Sequence, residues 1–293
     1  MKSPLMLRTI IGGIRTLRSR TKLMIPLAIV LTFIFIGFCL PLLISFDPRS
    51  WGKFPRNLPP SFEHPLGTTS VGQDVFWLLT YSIRGSLIVG FIGSIVGLLI
   101  GAVLGLVAGH KGGAVDRAVI FLTDVFLTLP FLPLLILITI LIKGAANLYI
   151  VGLAIAFLTW AWPVRNIRSI ILSLREREFI NVAIFSGMGT AKIITTQYLP
   201  HVLPWMSASI VGRMITAIGY EVILAVFGLI PLDEATIGTM IYWALEYQAL
   251  MRGLWWWFFP PIISVIVFCI ALYFLSSQII EHLDPRLRHL TTM

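Results

Sequence analysis

Residues 86–109 read SLIVGFIGSIVGLLIGAVLGLVAG, a stretch without a single charged side chain. It exceeds the roughly 20 residues that an α-helix needs to cross the hydrocarbon core of a bilayer. Glycine recurs in it at four-residue spacing, at Gly93, Gly97, Gly101, Gly105 and Gly109. Residues four apart share a helix face, so the stretch predicts a membrane span with one smooth face for close helix packing. Packing within this chain, packing against another subunit and a pore lining all remain open.

The composition of the whole chain agrees with a membrane protein. Of 293 residues, 57% are hydrophobic and only 12% are charged, whereas soluble proteins carry about 25% charged residues. This excludes an ordinary cytoplasmic enzyme. The net charge of +9 does not indicate a nucleic-acid partner, because most of the chain has no polar face to present it. Cys39 and Cys269 lie inside apolar runs and are expected to be packed thiols.

The apolar runs predict an all-α membrane protein with about six transmembrane helices. The predicted spans are residues 23–46, 86–109, 118–142, 148–162, 205–230 and 258–280. Most Lys and Arg residues outside them fall on one side, so the positive-inside rule predicts that both termini are cytoplasmic. The predicted organisation is a basic cytoplasmic segment 1–22, a first span 23–46, an external loop 47–85 with a short interfacial helix near 72–81, a core 86–280 and a cytoplasmic tail 281–293.

The cytoplasmic connection at residues 165–204 is too long for a simple turn. We predict a helix over 171–185, a break at 187–189, a second helix over 191–198 and a stop at Pro200. Such a helix–glycine–helix element is suited to docking a partner. A solvated connecting loop is the alternative, although loops are usually shorter.

Three ionisable residues fall inside the predicted spans: Asp124, Arg213 and Glu221. Charges at membrane depth are costly, so they face protein or a water-filled cavity. Arg213 and Glu221 are about two helical turns apart and are expected on a similar face. They predict either a polar translocation path or structural ion pairs. The cluster Trp255–Trp257 at the outer end of the last span suits an interfacial aromatic belt, with stacking on a sugar or gating of a substrate as the alternatives.

Motifs for catalysis are missing from the sequence. It has no GxxxxGK[ST] nucleotide-binding loop, no HExxH and no GxSxG, and its five histidines lack metal-ligand spacing. We therefore predict a non-catalytic chain that binds no cofactor itself. A stand-alone channel or secondary transporter is one alternative, but it would leave the helix–glycine–helix element unexplained; a membrane enzyme is another.

Several short motifs occur in a fixed order along the chain: HPLGT at 64–68 with GQD at 72–74, GHKGGAVDR at 109–117, LREREF at 174–179 followed by Gly187 and Leu199-Pro200, and DPRLR at 284–288. Taken in this order, they resemble the inner-membrane permease subunits of ABC importers of the dipeptide, oligopeptide and nickel class. The family's Glu-Ala-Ala triplet falls on Asn181, Val182 and Ala183, so only the last alanine is kept.

The resemblance implies the type I ABC importer permease fold, with a cytoplasmic coupling helix near 181–191, between spans four and five. The residues carried over to coupling are Glu178, Asn181, Ala183, Gly187, Met188 and Gly189. The implied partners are a second homologous permease, two ABC ATPase subunits that bind ATP and Mg, an external substrate-binding protein and the bilayer of the inner (plasma) membrane. The implied cargo is a dipeptide or oligopeptide, with an oligosaccharide or a nickel complex as alternatives.

Overall fold

The protein is described by a computed structural model over residues 23–142 and 147–283. The predicted basic segment 1–22 and most of the tail, including its DPRLR motif, lie outside the described residues. The helices are α1 Leu23–Leu43, α2 Val75–Lys111, α3 Gly113–Thr128, α4 Phe131–Leu141, α5 Leu148–Thr159, α6 Ala161–Arg175, α7 Glu178–Phe185, α8 Thr190–Ile193, α9 Leu199–Val226, α10 Ile237–Glu246 and α11 Trp255–Leu283.

The number of membrane spans depends on two bent helix pairs. In the described part of the chain, four continuous helices are long and apolar enough to cross a membrane, namely α1, α2, the α8–α9 unit Thr190–Val226, and α11. The count reaches six if the pairs α3–α4, bent by 90°, and α5–α6, bent by 47°, each form one span. The prediction of an unbroken span over 118–142 is therefore wrong. Pro130 disfavours helical backbone at the residue before it, and Leu129 is extended at φ −69° and ψ 138°.

Helix α2 is the central element, and its glycine face lies against α5 and α6 of the same chain. A Cβ atom placed on Gly93 would lie 3.2 Å from the Ile155 side chain, and one on Gly109 would lie 2.7 Å from Ile171. At Gly101 the same atom would lie 2.6 Å from the Trp160 carbonyl oxygen. These α2 glycines, which we call the glycine stripe, thus let the backbones of neighbouring helices approach more closely than side chains at the same positions would allow.

The segment before α2 is folded and fixes where that helix begins. The Asp74 carboxylate accepts a hydrogen bond from the Trp77 backbone N–H at 3.0 Å and contacts Nδ1 of His64 at 2.7 Å. The separate interfacial helix predicted near 72–81 is wrong, because residues from Val75 onward are the first turns of α2. The stretch 75–86 has no proline and a single glycine, Gly85, so it contains no signal that would end the helix.

The three consecutive tryptophans at the start of α11 have different surroundings. Trp257 is 1% exposed and Trp256 donates a hydrogen bond from Nε1 to the Thr68 carbonyl oxygen at 3.3 Å, whereas Trp255 is 55% exposed. Trp256 therefore connects the outer segment to α11, whereas Trp257 packs in a buried cluster with side chains of α2 and α10. Only Trp255 presents a large free surface.

Arg49 connects the outer segment to the loop between α9 and α10. Its guanidinium contacts the Asp47 carboxylate at 3.0 Å and the Glu234 carboxylate at 3.3 Å. The side-chain hydrogen bond from Arg49 holds the pKa of Asp47 below its ordinary value.

Candidate translocation and coupling sites

The connection between α6 and α9 forms a tight helix–turn–helix. After α7, the Gly187 N–H donates to the Ile184 carbonyl and the Met188 N–H donates to the Ala183 carbonyl, at 3.0 and 3.1 Å. Gly187 has φ +77°, the left-handed conformation that glycine adopts freely at the end of a helix. Gly189 then begins α8, its carbonyl accepting from the Ile193 N–H at 3.0 Å. A glycine at 187 is therefore what this turn requires.

The course of this connection differs from the prediction in two places. The helix expected over 171–185 is interrupted between Arg175 and Glu178, where α6 ends and α7 begins. The expected stop at Pro200 is wrong, because the chain continues through a π-helical turn, Ile194–Tyr198, directly into α9. Pro200 lies in the first turn of α9, where a proline is tolerated, and the wider π turn supplies the change in hydrogen bonding before it.

The inner side of this element is fixed to the membrane helices. Ile180, Ala183, Ile193 and Tyr198 are all buried in one apolar cluster. The same cluster holds side chains of α2, α6 and α9, among them Leu98, Leu106, Ile167, Ile171 and Val202. Burial of this many apolar side chains makes the element move with those helices rather than independently of them.

The side of this helix–turn–helix that faces away from the membrane helices carries exposed apolar side chains. Phe185 is 90% exposed, Val182 63% and Ile184 47%. Among the residues carried over from the resemblance, Glu178, Asn181, Gly187 and Gly189 are exposed, Met188 is half-buried and Ala183 is buried. We refer to Val182, Ile184 and Phe185 as the α7 apolar edge. Adjacent apolar side chains that stay exposed in a connection between membrane helices are typical of an interaction surface.

Two ion pairs join α3 to α6 beside this element. Arg168 donates from Nε and Nη2 to the two carboxylate oxygens of Asp116, and Arg165 donates from Nη2 to Asp124 at 2.6 Å. The Asp124 carboxylate, counted above among the charges within spans, is therefore paired and half exposed. The sequence shows an acidic residue at the start of one helix and an arginine on another. It does not show that these two helices meet, so the Asp116–Arg168 pair could not be predicted.

Arg213 lies on α9 and binds main-chain oxygens of two other helices. Its Nη2 donates to the carbonyl oxygen of Thr159 at 2.9 Å and to the hydroxyl of Thr159 at 3.1 Å, and its Nε lies 3.5 Å from the Ser94 carbonyl oxygen. Gly97 makes room for the guanidinium, because a Cβ atom there would lie 2.7 Å from Nη2. One glycine of the α2 stripe is thus required by a charged side chain rather than by an apolar one.

A cavity of about 710 Å³ opens beside Arg213. Its walls come from α3 to α6, α9 and α11, and they include two stacked aromatic pairs: Trp162 on Trp205, and Phe131 on Tyr220. The hydroxyls of Ser209 and Thr216 also line it. Of the two predicted path residues, Arg213 and Glu221, only Arg213 lines this cavity in the described part of the chain.

Glu221 does not lie beside Arg213, so the expectation that these two residues share a similar helix face is wrong. Its side chain is fully buried, and Oε2 accepts a hydrogen bond from the Ser86 hydroxyl at 2.8 Å. The Ser86 oxygen in turn accepts from the Ile237 N–H at 2.9 Å. Glu221 therefore joins α2, α9 and α10 and does not line the Arg213 cavity.

Comparison with known proteins identifies the family. The chain belongs to the family described as "Binding-protein-dependent transport system inner membrane component", which matches residues 101–289. It is 30% identical over 234 residues to the oligopeptide transport system permease protein OppC of Mycobacterium bovis, covering 78% of each chain. It is 31% identical over 237 residues to the dipeptide permease DppC of Bacillus subtilis, covering 80% of this chain and 72% of DppC.

Two further similarities extend the comparison. The nickel transport system permease NikC of Escherichia coli is 29% identical over 275 residues, covering 92% of this chain and 96% of NikC. A structure of the MetNI methionine ABC transporter aligns with a TM-score of 0.54 at 19% identity, covering 71% of this chain and 97% of that chain, and shows a shared fold. The chain is thus a multi-pass inner-membrane permease of a binding-protein-dependent ABC importer, a transport component and not a catalytic one.

Proposed function

We propose that this permease imports dipeptides or oligopeptides that an external binding protein delivers. Support comes from relatives named for oligopeptide and dipeptide transport, at 30% and 31% identity over most of this chain. The chain would pair with a second, homologous permease, and two ATPase subunits that bind ATP and Mg would drive the cycle. Both of its termini would be cytoplasmic.

The observation that supports the coupling role is the α7 apolar edge. Phe185 is 90% exposed at the end of a helix whose other side is buried. A groove on an ATPase subunit that received Phe185 and Val182 would remove this apolar area from water. Asn181 and Glu178, exposed on the same helix, would make the polar contacts around it, and Gly187, Met188 and Gly189 would shape the turn.

The packing of this element explains how a movement would be transmitted. Ile180 and Ala183 on α7 and Ile193 on α8 share one buried cluster with α2, α6 and α9. When ATP binding brings the two ATPase subunits together, a docked α7 would be displaced, and its buried side would carry those helices with it. Because packed helices adopt a few discrete arrangements rather than a continuum, the spans would switch between inward-open and outward-open states.

A metal complex is the second candidate cargo. NikC, a nickel permease, matches over a larger part of this chain than OppC does. The permease CntC of Staphylococcus aureus, named for metal-staphylopine import, is 30% identical over 267 residues. A nickel complex or another metal chelate is therefore the cargo to test against peptides.

The test uses the assembled importer in proteoliposomes with its own binding protein. ATP-driven uptake of labelled di- and tripeptides is compared with uptake of nickel–histidine. Phe185→Asp should lower uptake at least about tenfold, the effect expected of a central apolar contact, and should release the ATPase subunits during purification. Phe62→Asp is the matched control, because Phe62 is also fully exposed but lies in the outer segment.

Each outcome has a separate meaning. Normal uptake by the Phe185→Asp importer would contradict the coupling role of the α7 apolar edge. Uptake of nickel–histidine without uptake of any peptide would replace the proposed cargo but keep the coupling role. Uptake without ATP or partner subunits would contradict the importer mechanism itself.

A further inference from the structure

The guanidinium of Arg213 binds the carbonyl oxygen of Thr159, whose usual donor within a helix is replaced by a proline. In a continuous helix the Thr159 carbonyl would accept from the N–H of residue 163, but residue 163 is proline and has none. The chain bends here by 47° between α5 and α6, and Thr159 ends α5. A helix C-terminus attracts a cation, so Arg213 occupies the position of the missing donor at 2.9 Å.

The positive charge of Arg213 is anchored but not neutralised. Each of its hydrogen-bond partners in the described part of the chain is a carbonyl or a hydroxyl, from Ser94 and Thr159. No ion pair with Arg213 occurs among the described residues. Within residues 23–142 and 147–283, Nη1 of Arg213 has no hydrogen-bond acceptor. A half-buried guanidinium with a free edge has a strong preference for an anion.

Arg213 is also one of the residues that line the 710 Å³ cavity. None of the described residues that line this cavity is acidic, so its charge is positive. Its volume is in the range of sites that hold small organic ligands. The stacked pairs Trp162–Trp205 and Phe131–Tyr220 give it broad apolar walls beside one cation. This combination suits a molecule with a carboxylate at one end and variable, partly apolar groups beyond it.

We infer that the cavity binds the carboxylate of the cargo at Arg213 during translocation. The inference rests on the importer function proposed above and narrows its substrate class to anionic carboxylates. A peptide presents such a group at its C-terminus, and a metal chelate presents it in its amino-acid ligand. A neutral oligosaccharide has none and would leave the buried charge without a partner, at a cost in binding.

The test measures a ratio rather than total uptake. The reconstituted importer is given one tripeptide as the free acid and as the C-terminal amide, and the two uptake rates are divided. Four permeases are compared with the same binding protein, so the binding protein's own preference cancels: wild type, Arg213→Gln, Arg213→Lys and Gly219→Ala. The last is a control on the same helix, at a glycine whose Cβ would contact nothing within 4 Å.

The free acid to amide ratio should fall about tenfold in Arg213→Gln, the size expected for one hydrogen bond to a charged group. It should be largely kept in Arg213→Lys and unchanged in Gly219→Ala. An unchanged ratio in Arg213→Gln would overturn the inference. Failure of both Arg213 variants to assemble would also overturn it, since Arg213 would then be needed to hold the helices together rather than to bind cargo.

Failure of the peptide proposal gives a different result. If the wild-type importer takes up neither peptide form, nickel–histidine and nickel–histamine, which lacks the carboxylate, replace the two peptides and the same ratio is measured. Uptake of a neutral trisaccharide that Arg213→Gln does not change would contradict both the peptide proposal and the carboxylate site.

Discussion

Ser86 on α2 donates a 2.8 Å hydrogen bond to Oε2 of Glu221 on α9, and both side chains are sealed from solvent. The same serine oxygen accepts from the Ile237 N–H, the first residue of α10. Oε1 of Glu221 would lie 2.7 Å from a Cβ atom on Gly238. Helices α2, α9 and α10 therefore meet at the Glu221 carboxyl group. Gly238 lies so close to it that this position has no room for a side chain.

The first prediction concerns this carboxyl group. Glu221→Gln keeps the shape and an acceptor for Ser86, so its thermal unfolding midpoint in detergent should be close to that of the wild type. Glu221→Ala leaves Ser86 and a cavity behind and should lower the free energy of unfolding by about 1–3 kcal/mol. Equal damage by Gln and Ala would show instead that this position requires a negative charge.

The second prediction concerns the glycine stripe. Gly101→Ala would place a Cβ atom 2.6 Å from the Trp160 carbonyl oxygen, part of a backbone that moves only if α5 and α6 shift. Overpacking of this kind costs about 1–3 kcal/mol, so the unfolding midpoint should fall. Gly219→Ala, with nothing within 4 Å, should gain up to about 1 kcal/mol of helix propensity instead. Two equal midpoints would contradict the close packing of α2.

The sequence predicted some parts of this fold well because they depend on local properties. Hydrophobic length alone located the spans in α1, α2, α9 and α11, since a span needs only enough apolar residues in a row. Proline was a poorer guide: Pro130 coincides with a 90° break, whereas Pro204 lies inside the continuous helix α9. Whether a proline breaks a helix depends on neighbours that can compensate for its missing hydrogen bond.

The candidate site was harder to predict because it depends on contacts between helices. Arg213 and Glu221 are eight residues apart, which leaves them about 80° apart around the helix axis. That angle is enough to place one beside a cavity and the other in a buried contact with α2. The acceptor for Arg213 had a sequence signal, a carbonyl at Thr159 four residues before Pro163, but the pairing of the two required the fold.

The third prediction concerns the pair Asp116–Arg168 between α3 and α6. Both side chains are partly buried, at 17% and 28% exposed, and the guanidinium donates twice to the carboxylate. Asp116→Asn, Arg168→Gln and the double variant form a cycle whose interaction energy should be about 1 kcal/mol or more in favour of the pair. Additive single effects on thermal unfolding would show that the pair contributes nothing.

The fourth prediction is a pH dependence in the outer segment. Arg49 lowers the pKa of Asp47 in the folded protein, so the stabilisation is complete above the ordinary pKa of about 4. It is lost as the pH falls through the lowered folded value. Asp47→Asn should therefore weaken the loss of stability on acidification below about pH 4, by at most about 1 kcal/mol because the pair is exposed.

The last prediction concerns the turn between α7 and α8. Gly187 has φ +77° and nothing within 4 Å of a Cβ atom, so a substitution acts through backbone strain and through bulk on the exposed side. Gly187→Trp adds roughly 1–2 kcal/mol of left-handed strain and a large ring beside the α7 apolar edge. We expect ATP-driven uptake to be lost, while the thermal midpoint falls only by the small amount that this strain accounts for. Gly187→Asn, which tolerates this conformation, should retain most of the uptake. Normal uptake by the Trp variant would show that α7 and α8 do not dock the ATPase subunits.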